Sequence, residues 1–218
     1  MTLSQIKEYI KKFWNYLKQD TWHSWLVSLI ILYLVIRLVF FPLMSFVTGS
    51  PLPLVIVESC SMYHHSAFDN WWDTHSSWYE AKDISKEEFS AFSYKNGLNK
   101  GDILLVLKRD NYNEGDIIIF KPNPESTSPN PIIHRIISEN PFATKGDNNL
   151  AQLSANNNLY RIDETSIPTS NILGKAVLRI PLAGWLKLIW IEPFRAEAER
   201  GLCVENQNLK TSTLRLED

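Results

Sequence analysis

Apolar and polar positions follow several rhythms along this chain. Residues 1–23 set Ile6, Ile10, Phe13, Trp14 and Leu17 at helical spacing among Lys7, Lys11, Lys12 and Lys18, opposed only by Glu8 and Asp20. This spacing predicts a basic amphipathic helix lying near a membrane surface. From Trp25 to Phe46 the chain is apolar apart from Ser28, Arg37 and Ser45, so residues 24–47 are predicted to form a helix that crosses a bilayer. Arg37 costs about 3 kcal/mol in such a helix, which Leu29–Ile36 and Leu38–Phe41 outweigh on the same insertion scale. The run is too long for the apolar core of a cleaved secretory signal, and no small-x-small site follows it.

Beyond the span the rhythm is that of strands. Val55-Ile56-Val57 is a short β-branched run that stops at Glu58-Ser59-Cys60-Ser61-Met62, and it reads as a strand delivering a serine to a sheet edge or loop. Lys100-Gly101-Asp102 leads into Ile103–Leu107, and Glu114-Gly115-Asp116 leads into Ile117–Phe120. Each is a turn entering an apolar strand, and the two are expected to be sheet neighbours. Pro122, Pro124, Pro129 and Pro131 mark an extended loop, after which Ile132–Ile137 and Ile172–Ile180 supply further strands. Thr144–Asn149 reads as a polar turn with Gly146 at a positive φ. The expected fold is therefore mainly β, a small folded sheet or barrel over residues 50–181, with an N-terminal transmembrane helix and short peripheral helices.

An aromatic block at residues 63–100 interrupts the strands. Ser85 and Glu88 form the signature of a capping box for a short helix there. Trp71, Trp72, Trp78, Tyr79, Phe89, Phe92 and Tyr94, so close to the membrane exit, are expected at the bilayer interface. His64, His65 and His75 with Asp69 and Asp73 match no metal-ligand spacing and read as loop histidines. Leu182–Ile191 is apolar but too short to span and is expected as an interfacial patch, within a C-terminal segment of residues 182–218 that ends in a charged tail.

Composition narrows the function classes. The chain has 218 residues, of which 44% are hydrophobic, which is enough for a core. A net charge of −2 without a clustered basic surface argues against nucleic acid as a partner. Cys60 and Cys203 lie far apart and outside any Cys-x-x-Cys spacing, so neither a disulfide framework nor a structural zinc is expected, and no cofactor motif is present. Four lysines precede the span, whereas residues 47–81 hold no Lys or Arg. The positive-inside rule then sets the N-terminus in the cytosol and everything after Ser50 on the outer face of a cell membrane.

Serine hydrolysis requires a nucleophile, a neutral base, a group that orients the base, and donors for the oxyanion. Ser61, His134 and Asp147 occur in that order at or beside predicted strands. His134, embedded in isoleucine, is the candidate base, a role that needs a neutral imidazole able to accept a proton from a hydroxyl. Asp147 is the nearest carboxylate downstream, and Ser59 is a candidate oxyanion donor beside the Ser61 amide. Lys145 is the alternative base, which burial would have to keep neutral. A non-catalytic, membrane-anchored domain that binds a partner through the aromatic block is a further alternative.

The order of a membrane span, Ser59-Cys60-Ser61-Met62, Lys100-Gly101-Asp102-Ile103-Leu104, Glu114-Gly115-Asp116-Ile117-Ile118-Ile119-Phe120, Ile133-His134-Arg135-Ile136 and Lys145-Gly146-Asp147-Asn148-Asn149 resembles type I signal peptidases. The resemblance covers about residues 25–190. It implies that Ser61, the serine before methionine, is the nucleophile. Bacterial members carry lysine before the arginine, and archaeal and endoplasmic-reticulum members carry histidine, so His134 sorts with the latter. It further implies cleavage of secretory signal peptides after small residues, with the lipid bilayer and the protein translocation machinery as partners. Three departures stand out. Cys60 replaces a more familiar glycine, residues 63–100 intervene before the first Gly-Asp strand, and the aspartate these enzymes carry some six residues past the Lys145-Gly146-Asp147 turn is Leu153 here, with Asp163 the next acid.

Overall fold

In the computed structural model, which describes residues 2–204, the chain divides into two compact units, residues 1–47 and 48–218. The first unit is helical. Helix α1 (Leu3–Leu17) begins at a capping box in which Thr2 and Gln5 satisfy each other's backbone amides. The Ser24 hydroxyl donates to the carbonyls of Tyr16 (2.8 Å) and Leu17 (2.9 Å), which closes off the end of α1. A continuous helix follows from Trp22 to Thr48, with 27 residues, long and apolar enough to cross a membrane. It comprises α2 (Trp22–Val35), a π turn (Ile36–Phe40) and α3 (Phe41–Thr48). Pro42 offers no N–H, and just ahead of it the Phe41 amide bonds the carbonyl of Ile36, five residues back. Arg37 lies within that turn.

The second unit is a curled six-stranded antiparallel sheet with a few short helices. Its strands are β1 (Leu54–Ile56), β2 (Ile103–Leu107), β3 (Ile117–Phe120), β4 (Ile132–Glu139), β5 (Phe142–Lys145) and β6 (Ile172–Ile180), in the order β1-β2-β6-β3-β4-β5. β2 and β3 are thus not neighbours, contrary to the expectation from their matching turns. β6 runs antiparallel between them, pairing Ala176 with Val106 and Gly174 with Ile119. The connection 108–116 is longer than the roughly two to five residues of a hairpin, and that length allows the crossover. β5, read from sequence as part of a polar turn, instead completes a hairpin with β4.

β3 is buried on both faces. Ile117 and Ile119 join Val57, Met62, Leu98, Leu104 and Val106 in one core, while Ile118 and Phe120 join Tyr112, Ile136, Ile167 and Ile172 in another. The aromatic block builds a third core. Helices α4 (Phe68–Glu80) and α5 (Lys86–Ala91) bury Trp71, Trp72, Tyr79 and Phe89 against Ile137 and Ala143 of the β4–β5 hairpin. The expectation of a bilayer-facing block therefore fails for these residues. Trp71, Tyr79 and Phe89 are fully buried, because α4 gathers Trp71, Trp72 and Tyr79 on one side at helical spacing and Phe89 of α5 packs against their rings. α5 carries the capping box between Ser85 and Glu88. Helix α6 (Trp185–Ile191) buries only Leu188, and Leu186, Ile189 and Trp190 are exposed.

Candidate active site

β1 ends at Ile56, and the loop that follows is fastened by Met62. The Met62 side chain is in the core, its carbonyl accepts from Leu98 N at 2.7 Å, and its sulfur accepts from Asp147 N at 3.4 Å. The 146–149 turn holds the same loop from a second side. Asn148 N donates to the Ser61 carbonyl (2.8 Å) and Asn148 Nδ2 to the Cys60 carbonyl (3.0 Å). Ser61 is half-buried, and its hydroxyl lies 3.1 Å from that of exposed Ser59.

His134 is brought to this loop through Gly146. A Cβ at residue 146 would stand 2.7 Å from His134 Nε2 and 2.8 Å from the Ser61 carbonyl oxygen, so both atoms flank the same small space. The φ of Gly146 is not positive, contrary to the turn expectation; close approach, rather than backbone strain, demands glycine there. The other ring nitrogen, Nδ1, is hydrogen-bonded to the carboxylate of Glu164. Glu164 is fully buried, and it also accepts from Thr144 Oγ1 (3.0 Å) and Leu153 N (2.7 Å), which fixes its plane.

Asp147 does not orient His134. The cause is the period of the strand: His134, Ile136 and its cross-strand partner Thr144 share one face of the sheet, while Arg135 and its partner Lys145 share the other. On that second face Asp147 is bound by Arg135 through Nε (2.9 Å) and Nη2 (2.7 Å) and by His64 Nε2 (3.0 Å). Burial would raise the Asp147 carboxyl, but Arg135 and His64 hold it well below the ordinary range. The remaining Arg135 donors reach the carbonyls of Ser93, Gly115 and Tyr94, so the guanidinium is fully engaged. Asp163, the other acid considered, accepts from Thr165 in a local turn (2.6 Å to Oγ1). Its neighbour Glu164 points the other way, as successive residues of an extended chain do.

Lys145 sits on the Arg135 face. Its ammonium contacts Tyr79 OH (3.4 Å) and the Gly146 carbonyl (3.1 Å) and lies over the rings of Trp78 and Tyr79. Burial lowers its pKa to about 8, against the opposing pull of Asp147 and Glu164. His64, read from sequence as a loop histidine, is buried and stacked on Trp71 at 3.7 Å. Desolvation lowers its pKa against the opposing pull of Asp147, whose carboxylate accepts from its Nε2. The cysteines also depart from expectation: Cys60 and Cys203 form a disulfide, with Cα atoms 5.6 Å apart. The bond joins positions 143 residues apart, which no local spacing reveals, and it removes the Cys60 thiol as a rival to Ser61.

No family model matches the chain. It is 28% identical over 109 residues to the signal peptidase complex catalytic subunit SEC11 of Colletotrichum graminicola, a stretch covering 46% of this chain and 60% of that protein. The chain is similar to the catalytic subunits of signal peptidase complexes. A second similarity, 29% over 120 residues, is to the SEC11 catalytic subunit of Pyricularia oryzae and covers 50% of this chain and 66% of that protein. In both cases the match spans less than two thirds of the signal peptidase subunit.

Proposed function

We propose that the chain is a membrane-anchored serine endopeptidase that removes signal peptides from secreted preproteins after small residues. Ser61 attacks the scissile carbonyl. His134 takes its proton through Nε2 and then returns it to the leaving amine, and Glu164 orients the ring through Nδ1 and stabilises the imidazolium. Ser59 and the Ser61 amide donate to the oxyanion. Asp147 belongs to the support of this site rather than to the proton path. The observation that carries the reading is the line Glu164–His134–Gly146–Ser61, in which a buried carboxylate fixes a buried imidazole whose free nitrogen faces the serine loop.

The helix Trp22–Thr48 serves as the anchor, with α1 on the cytosolic surface and the sheet domain on the outer face. The Cys60–Cys203 disulfide supports this topology, because such bonds persist in oxidising compartments. The exposed Leu186, Ile189 and Trp190 of α6 suit contact with the interfacial region of the bilayer, close to where a membrane-borne signal peptide emerges. The protein translocation machinery that delivers such preproteins is the expected partner. The test is cleavage of a model preprotein by the full chain in lipid vesicles. Ser61→Ala and His134→Ala should each abolish it, and Lys145→Ala should retain it. Cleavage that survives Ser61→Ala, or that is lost only with Lys145→Ala, rejects the assignment.

A further inference from the structure

From Glu192 to Cys203 the chain runs back over the loop that presents Ser61. Arg195 is the first hold: its Nη1 donates to the Glu58 carbonyl (3.2 Å), and its Nη2 is paired with the Glu58 carboxylate. Lys187 reaches the same carboxylate at 3.1 Å. Glu192 is the second hold, accepting from buried Lys100 Nζ (2.9 Å) and from Gly201 N (2.6 Å), while Lys100 Nζ also donates to the Glu199 carbonyl (2.6 Å). The Cys60–Cys203 bond is the third. Residues 58–60 are thereby gripped by the C-terminal segment, while 60–62 are gripped by the 146–149 turn.

The loop needs both grips. Regular sheet pairing of β1 stops at Ile56, and after the Val57 contacts with Gly101 and Asp102 the backbone bond inside the loop is Tyr63 N to Cys60 O. Ser59 and Ser61 flank Cys60, so a displacement of Cys60 moves the nucleophile and its oxyanion donor together.

We propose that residues 192–203 form a positioning strap for the nucleophile, with Arg195 and the Cys60–Cys203 disulfide as positioning residues. Release of the strap leaves a folded domain in which the Ser61 loop no longer keeps its place beside His134 Nε2. This proposal rests on the Ser61–His134 reading above. A misplacement of about 1 Å costs of order a hundredfold in rate, so the expected loss is ten- to hundredfold in kcat with KM within about twofold.

The test uses the full chain in detergent micelles and a fluorogenic peptide bearing a signal-peptide cleavage sequence. Dithiothreitol supplies two electrons and two protons, converting the disulfide to two thiols while it closes to its own cyclic disulfide. Reduction should lower kcat and reoxidation should restore it. The double variant Cys60→Ser/Cys203→Ser should start at the reduced level and ignore dithiothreitol. Arg195→Ala should also lower kcat, and Arg195→Lys should recover part of the loss. Hydrogen exchange, which does not depend on activity, should quicken at residues 58–63 on reduction and stay unchanged in β3 and β4. A kcat unchanged by both reduction and the double variant overturns the strap. So does faster exchange spread across the sheet, or a change confined to KM. Failure of the peptidase reading shows separately, as turnover that Ser61→Ala leaves intact.

Discussion

Glu164→Gln is the sharpest perturbation of the site because it preserves shape and removes a charge. Glu164 meets three donors, His134 Nδ1, Thr144 Oγ1 and Leu153 N, in a fully buried position. A glutamine oxygen cannot serve both ends of that arrangement, so its amide N–H turns toward one of the donors. One unmet buried donor costs about 1–3 kcal/mol, a loss of a few degrees in Tm for a domain of this size. The kinetic loss is larger. When His134 takes the proton of Ser61, the imidazolium loses a carboxylate partner. Unit charges ~4 Å apart at an effective dielectric of ~20 attract by about 4 kcal/mol. At about 1.4 kcal/mol per tenfold, kcat falls about a thousandfold with KM nearly unchanged. The assay is steady-state cleavage of a preprotein in micelles, with Tm followed by intrinsic fluorescence. A Glu164→Gln protein that keeps kcat within tenfold of the parent refutes the orienting role. A thousandfold loss at unchanged Tm in Asp147→Asn instead would return that role to Asp147.

Other outcomes follow from the same geometry. Gly146→Ala places a methyl group 2.7 Å from His134 Nε2 and 2.8 Å from the Ser61 carbonyl, closer than van der Waals contact; kcat should drop about a hundredfold, and wild-type turnover would show that the space is not shared. Asp147→Asn leaves the fully buried Arg135 guanidinium without its counter-charge and should destabilise the domain by about 3–5 kcal/mol, read as a lowered urea midpoint. Lys145 has a folded pKa of about 8 against an ordinary 10.5, so between those pH values the unfolded chain binds the extra proton. The stability cost of the buried ammonium is therefore full below pH 8 and relieved as pH rises to 10.5, by about 3 kcal/mol. Lys145→Met should flatten that rise in a Tm-versus-pH series, and an identical slope in both proteins would count against the buried, depressed lysine.

Local patterns were legible wherever the local chain decides the structure. The strands Ile103–Leu107, Ile117–Phe120 and Ile172–Ile180 and the Ser85 capping box follow from β-branched runs and cap chemistry. The long apolar helix follows from composition. What escaped depends on partners distant in sequence. Nothing near Ile117 announces that β6 lies beside it. The α4 aromatics are amphipathic in type, and only the β4–β5 hairpin against them makes them core. The carboxylate that bonds His134 was not anticipated: Asp147 was expected there, and Asp163, the next acid considered, differs from Glu164 in which way an extended segment turns it. A count of alternate positions from His134 through Thr144 would have excluded Asp147 and Lys145, had β5 been recognised as a strand.

Adjacent residues of β4, His134 and Arg135, address two carboxylates that never share a face, Glu164 and Asp147. The sheet acts as a partition between the proposed proton path and a charged brace. Slippage of β4 by a single residue would exchange the two, setting an arginine that cannot release its proton where the base must stand. Fidelity of the β4–β5 pairing, with its irregularity between Ile136 and Ser138, is thus a condition for chemistry as much as for folding. Damage to that hairpin should abolish the proposed cleavage in molecules that still fold.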